Sequence, residues 1–188
     1  MNFQNNKLIC LNKLDRSKKG AIDKGILDLV NLINKNPHYY TTSSCSGRIV
    51  LISKKSEKKQ DTKWLFVTHN KTSFKEASSK LKNLPKEPIW FRFEPMILHI
   101  AADSISNAQK IVNTARDLGF KRTGIQSTRK IVIEIASTEI MSTIIAKNGK
   151  VLVDDSYLRV LIQEANKKLK RTQNKIKEFL EKIKKFNS

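Results

Sequence analysis

The chain has 188 residues, enough for one sizeable core or two small lobes, and with 39% hydrophobic and 29% charged residues it is globular in composition. Its 37 Lys plus Arg against 17 Asp plus Glu leave a formal net charge of +20, a field that recruits polyanions, phosphate backbones above all, although 29 of those 37 cations are Lys and a lysine-rich composition accounts for part of it. Cys10 and Cys45 are too few for a disulfide scaffold and form no Cys-x-x-Cys pair, no apolar run approaches the roughly 20 residues that span a bilayer, and the opening MNFQNNKLIC lacks the apolar stretch of a secretory signal, so a cytoplasmic protein without a metal site or a membrane partner is expected.

Residues 20–34 place Ile22, Ile26, Leu29, Val30 and Ile33 at helical spacing, and Asn36-Pro37 ends that helix because the residue before proline avoids helical geometry. Two β-prone runs, YYTTSS and RIVLIS, flank Cys45-Ser46-Gly47 as a tight hairpin would, and the lysine-rich KKSEKKQDTK reads as a solvated hairpin loop. WLFVT predicts a strand and residues 73–81 a short helix. IWFRFEPMILHIAA is strand material broken at Pro95, which has no N–H to donate to a central ladder. A helix follows Asp103 or Ser104, with Ala108, Ile111, Val112 and Ala115 on its apolar side and Gly119 as its stop. RTGIQST, KIVIEIA and a short piece at 151–153 complete the strands.

From Asp155 onward Leu158, Leu161, Ile162, Ala165, Leu169, Ile176, Leu180 and Ile183 form one apolar stripe, with Asp154 or Asp155 as a cap. Residues 156–188 carry 10 Lys plus Arg and 3 Glu, so the opposite face is basic. Docking on the sheet is expected for the first half of this helix, while the second half has two readings, docking or a rail along phosphates. The fold class that results is α+β: a largely antiparallel or mixed sheet with packed helices and a long basic C-terminal helix. None of the six glycines falls into G-x-G-x-x-G or a P-loop, so a Rossmann-type nucleotide domain is disfavoured.

The densest chemical segment is Ser43-Ser44-Cys45-Ser46-Gly47-Arg48, which offers hydroxyls, a flexible turn and a guanidinium suited to an anion or carboxylate; a hairpin without a ligand is the plainer reading. Cys45 has no local base and reads as a small buried side chain. His69 and His99 end or interrupt strands, where proton transfer near neutral pH is feasible. Glu94, among Phe91, Phe93 and Pro95, is either a partly buried acid or the partner of Arg92 or Arg122 in a salt bridge. Core burial is expected of Trp64 and Trp90, with stacking on a base as the alternative.

The order DRSKKGAID, TTSSCSGR, WLFVTH, FEPMILH, GFKRTG, IAST and VLVDDSYL resembles the wybutosine-synthesising methyltransferase family of transfer RNA, from about Asp15 to Phe179. The motif positions are Asp15, Ser17, Lys19, Gly20, Asp23, Ser43, Ser44, Cys45, Gly47, Arg48, Trp64, His69, Glu94, Pro95, His99, Gly119, Arg122 and Gly124. Thr123 and Lys121 depart from the serine and arginine expected of the GFR-x-SG version, and Ser46 stands where relatives carry alanine. The resemblance implies S-adenosylmethionine as donor, methylation of a ring nitrogen in the tricyclic base at position 37, and the anticodon stem-loop of phenylalanine transfer RNA as partner. No internal repeat or Pro/Ser-rich linker marks a boundary, so a single compact catalytic domain over 1–188 is expected, with 155–187 as its basic C-terminal helix. His69, then Glu94, are the expected bases. Ser43, Ser44, Cys45, Gly47, Arg48 and Trp64 are expected at the cofactor, and Lys19, Lys121, Arg122 and His99 at the RNA. The rival from another class is a non-catalytic basic RNA-binding protein, and a hydrolase using Cys45 or His69 stands third.

Overall fold

The computed structural model describes residues 2–12, 21–54, 61–127 and 130–186. The chain forms two compact units, one from 1–46, 96–138 and 172–188 and the other from 47–95 and 139–171. Lys19, with Asp15, Ser17 and Gly20, lies outside the described residues.

The first unit is built on a four-stranded antiparallel sheet in the order β1-β5-β7-β6, with β1 at Tyr39–Cys45, β5 at Ile97–Ala102, β6 at Arg122–Ser127 and β7 at Val132–Ala136. Strand alternation sends Leu98, Ile100, Ile133 and Ile135 to one face. There they pack with Leu29, Val30 and Ile33 of α2 (Leu27–Lys35) and with Ala108, Ile111, Val112 and Ala115 of α4 (Ile105–Asp117). Ser104 caps α4 by accepting from the Asn107 N–H, so the second of the two proposed starts is the cap. On β1, Tyr39 joins this core while Tyr40 meets Phe3 of α1 (Phe3–Leu11), their ring centroids 5.2 Å apart. Helix α1 has no apolar stripe and was not anticipated. Its buried Lys7 donates to the Asn36 carbonyl just past the end of α2, and burial lowers the Lys7 pKa.

Helix α2 begins seven residues later than the periodicity of 20–34 predicts. The reason is local. The Asp23 carboxylate accepts from both the N–H and the hydroxyl of Ser46, at 3.0 and 3.3 Å. A Cβ on Gly25 would come within 3.3 Å of Ser46 Cβ, so only glycine permits this approach without displacement. Residues 23–25 are thereby committed to the end of β1 instead of to another helical turn, and Ile22 stays 37% exposed.

The second unit carries a five-stranded antiparallel sheet in the order β3-β2-β4-β8-β9, formed by β2 (Arg48–Lys54), β3 (Thr62–Thr68), β4 (Ile89–Glu94), β8 (Met141–Lys147) and β9 (Lys150–Val151). The strand at 141–147 carries no expectation from the sequence, and of the strand expected at 151–153 only Val151 is in one, the two-residue β9. Ile49, Leu51, Ile89, Phe91, Phe93 and Ile145 form the core with α3 (Phe74–Ser78) and with Leu158, Leu161, Ile162, Ala165 and Leu169 of α5 (Asp155–Lys184). A capping box between Ser73 and Glu76 starts α3. Asp154 opens α5, accepting from the Tyr157 N–H at 2.7 Å.

The stripe on α5 serves both cores, because Ile176, Phe179 and Ile183 of its second half belong to the core of the first unit. Docking therefore holds for both halves of the helix. Runs 39–44 and 48–53 are not a hairpin, since β1 and β2 enter different sheets. Pro95 marks a second such change, with β4 in one sheet and β5 in the other.

Phe179 is fully buried against Phe120, ring centroids 6.1 Å apart, whereas Val160 on the same helix is 56% exposed. Phe179→Ala is expected to lower the unfolding free energy in a urea titration by about 3–5 kcal/mol, and Val160→Ala by under about 0.5 kcal/mol.

Candidate functional site

In the second unit the register pairs Arg48 at the start of β2 with Glu94 at the end of β4. Alternation turns both away from the face that carries Ile49 and Phe93, and Arg48 Nε–H donates to Glu94 Oε2 at 2.7 Å. Glu94 is thus bound by Arg48, not by Arg92 or Arg122. The Arg48 guanidinium also lies over the Trp64 ring, 4.5 Å from its centroid. Arg48 and Glu94 side chains are each 31% exposed, so the pair is reachable from solvent yet shielded enough to hold its geometry.

Gly47, with φ at +92°, makes the turn into Arg48, a conformation few side chains tolerate. His69 follows β3 and its Nδ1 donates to the Gly47 carbonyl at 2.9 Å. A carbonyl only accepts, so in the neutral ring Nε2 is the basic nitrogen. Gly47, Arg48, Trp64, His69 and Glu94 therefore form one connected group.

Arg92 completes this face and was not singled out in the sequence as a site residue. It lies two residues before Glu94 on β4, with its guanidinium 5.1 Å from the Trp90 centroid. Its Nε is buried and has no hydrogen-bond partner among the described residues. A buried donor of this kind is costly unless a ligand uses it. Trp64 and Trp90 are half-buried under arginines and belong to neither core, which corrects the expectation of core burial. Both pair with Ile52, on the opposite face of β2 from Leu51.

Ser43, Ser44 and Cys45 lie on β1 of the first unit; Cys45 is half-buried and in no disulfide. Ser43 Oγ is 2.8 Å from His99 Nδ1 on β5, and His99 Nε2 is 3.2 Å from Glu134 Oε2 on β7. Glu134 carried no motif in the sequence; only the strand pairing reveals it. Lys121 and Arg122 are exposed at the start of β6. Thr123 is turned inward and donates to the Phe120 carbonyl at 2.6 Å.

The basic surface has a defined feature in the second unit. Lys71, Lys167, Lys170 and Arg171 line a cleft of about 470 Å³ with Gln163 and Asn166. Asn166 anchors its floor, accepting from the Thr72 N–H at 3.0 Å and donating to the Thr72 carbonyl at 2.8 Å.

The sequence matches the family described as Methyltransferase TYW3 over residues 5–185. The chain belongs to that methyltransferase family. It is 37% identical to the tRNA wybutosine-synthesizing protein 3 homolog of Danio rerio over 185 residues, which cover 95% of this chain and 73% of that protein. It is 34% identical to the tRNA(Phe) 7-((3-amino-3-carboxypropyl)-4-demethylwyosine(37)-N(4))-methyltransferase 1 of Pyrococcus abyssi, covering 97% of this chain and 96% of the relative. The solved structure of the PH1069 protein from Pyrococcus horikoshii superposes with a TM-score of 0.90 at 35% identity, over 97% of this chain and 96% of that one. The α+β, non-Rossmann architecture is thus shared with a TYW3 relative, and family membership implies use of a methyl donor. Among the described residues, no helix is long and apolar enough to cross a membrane.

If the buried Arg92 Nε is held for a ligand, removing it does not harm the free protein. Arg92→Met is expected to leave the urea midpoint unchanged or raise stability by about 1 kcal/mol. A loss of more than about 1 kcal/mol would show that this nitrogen already has a partner in the fold.

Proposed function

We propose that this protein transfers a methyl group from S-adenosylmethionine to a ring nitrogen of the tricyclic wyosine-type base at position 37 of phenylalanine transfer RNA; its Pyrococcus abyssi relative is named for N(4)-methylation of a demethylwyosine at that position of tRNA(Phe). The observation that carries the reading is the face made by Arg48, Trp64, Arg92 and Glu94 within a chain of this methyltransferase family.

Those residues suit a donor that bears both a carboxylate and cationic groups. Arg48 uses its Nε–H on Glu94, and its terminal nitrogens carry the remaining donors of a guanidinium, aimed as a fork that suits a carboxylate. The buried Nε–H of Arg92 supplies a further donor on the same face. Glu94 offsets the positive charge of Arg48 and offers an acceptor to an ammonium. Trp64 gives a flat apolar surface of the kind that tolerates a neighbouring cation. When bound, the donor supplies an activated methyl and a thioether leaving group. The protein's own task is alignment and exclusion of water, which is worth several kcal/mol in a two-reactant displacement.

Gly47, Arg48 and Trp64 carry the donor-binding proposal. Glu94 is committed to Arg48, and His69 braces the turn through the Gly47 carbonyl, so in this reading both position Arg48. Phosphate contacts are assigned to the exposed Lys121 and Arg122 of the first unit and, independently of these, to the cleft of Lys71, Lys167, Lys170 and Arg171 in the second. The anticodon stem-loop is the element bound, because an unpaired base there can be presented to side chains in a way that a duplex base cannot.

Incubating the protein with S-adenosylmethionine and phenylalanine transfer RNA that carries the unmethylated tricyclic base, then analysing its nucleosides by mass spectrometry, tests the reading. A gain of one methyl on the tricyclic base is expected. Arg48→Ala should raise the KM for the donor about 10- to 100-fold, as loss of a charged hydrogen bond does. Absence of any methyl gain with the unaltered protein overturns the reading.

A further inference from the structure

The sheet of the first unit carries one row of residues that its core does not use: Ser43 on β1 opposite His99 on β5, His99 opposite Glu134 on β7, and Glu134 opposite Gly124 on β6. Leu98, Ile100, Ile133 and Ile135, which flank His99 and Glu134, point into the core, so alternation puts the row on the other face. Arg122 lies on that same face two residues before Gly124, while Thr123 between them is turned inward. All of these residues belong to one unit.

The row holds a fixed ring, an unused acceptor and a gap. His99 Nδ1 is 2.8 Å from Ser43 Oγ and its Nε2 is 3.2 Å from Glu134 Oε2. Both ring nitrogens are therefore occupied, and what the imidazole has left for a ligand is its flat surface. A side chain held from both sides has already lost the rotamer freedom that binding would otherwise cost. Glu134 bonds through Oε2 alone; its Oε1 has no hydrogen bond among the described residues, and a carboxylate oxygen only accepts. Opposite it, a Cβ on Gly124 would find no atom within 4 Å, so the sheet is bare there. Lys121 and Arg122, at the corner of this face, are exposed and form no ion pair among the described residues.

We propose that this face is a subsite for one unpaired RNA nucleotide, its base against His99, Glu134 and Gly124 and its phosphate toward Arg122, and that it rests on the functional reading above only for the identity of the RNA. Charge sets the orientation. A phosphate over Glu134 would meet a like charge, whereas a base brings an amino group or ring N–H that Oε1 accepts. The phosphate is left to Arg122, about 6.6 Å along β6 from Gly124, whose guanidinium fork suits its oxygens. That spacing is comparable with the reach from a phosphate to its own base. A duplex keeps its base faces covered, so an unpaired nucleotide is the one that lies on the imidazole. His99 stacks on the base, Glu134 reads a donor on its edge, and bare backbone at Gly124 leaves it room.

Fluorescence anisotropy of the full-length protein with a labelled RNA hairpin carrying the anticodon loop of phenylalanine transfer RNA, repeated over a range of salt, tests the subsite. Gly124→Val fills the gap. Gly124 is in strand backbone without a positive φ, and valine favours strands, so the fold accepts the side chain. RNA affinity should fall about 5- to 30-fold, the worth of one stacked base. His99→Leu should lose affinity to a similar degree, and His99→Phe, which keeps a flat ring, should lose less. Neither Gly124→Val nor His99→Leu should alter the slope of log affinity against log salt, because no phosphate contact is removed, whereas Arg122→Gln should reduce that slope by about 1. Unchanged affinity in both Gly124→Val and His99→Leu overturns the subsite. So does a loss in Gly124→Val accompanied by a reduced salt slope, and so does unaltered protein that binds no RNA. Methyl gain on the transfer RNA with affinity indifferent to both substitutions would strike the subsite and leave the functional reading. The expected losses in a protein that transfers no methyl would do the reverse.

Discussion

Strand register is the constraint on which both polar groups of residues depend. In an antiparallel pair, the residue directly opposite decides which side chains meet, and a slip of one position sends every side chain to the other face. Here the register is anchored by the cores. Ile49, Phe91 and Phe93 hold β2 against β4 in one sheet, and Leu98, Ile100, Ile133 and Ile135 hold β5 against β7 in the other. With those faces buried, the alternate positions are left to polar chemistry. Arg48 meets Glu94 in one sheet, and Ser43, His99 and Glu134 meet in the other. Apolar packing and site geometry are two faces of the same pairing.

The chain uses two long β segments twice. Residues 39–54 begin in one sheet and end in the other, with the change at Ser46 and Gly47; residues 89–102 change in the opposite sense at Pro95. Each segment contributes polar residues to both sheets within a few positions, which is why the sequence concentrates its chemistry around Ser43–Arg48 and Glu94–His99. The conformational demands at the first change are met locally. Gly47 takes a positive φ, and Asp23 holds the Ser46 N–H in a buried contact. Such a carboxylate leaves no orphan donor at the point where the chain departs from the ladder.

Much of this was legible in the residues, and the failures have physical causes. Helices α4 and α5 were readable because their apolar residues recur at helical spacing over several turns, and the buried positions on α4 are those the pattern named. Helix α1 was not, because Lys7 sits where a stripe would need an apolar residue and is accommodated by donating to the Asn36 carbonyl. Strand β8 was hidden because its burial does not alternate: Met141 to Ile144 are half-buried or exposed and two successive buried residues, Ile145 and Ala146, follow. The supposed hairpin around Cys45 failed because local sequence does not say which partner a strand will choose. For the same reason His69, Arg48 and Glu94 could be nominated singly from motif and chemistry while their connection could not. Glu134 was beyond reach, since its meaning comes from His99, 35 residues earlier in the chain and one strand away.

The positive charge and the polar face answer different parts of the task. Charge on exposed Lys and Arg draws in an RNA without selecting a base, since phosphate contacts carry no sequence information. In the proposed function, selection and chemistry fall to the few groups whose positions the sheets fix. A basic protein that only bound RNA would need the first and not the second. Calorimetric titration of the protein with S-adenosylmethionine, without RNA, separates the two most directly. Saturable one-site heat, lost in Arg48→Ala, is the predicted result. A flat titration with the unaltered protein would contradict the reading of this chain as a donor-binding methyltransferase.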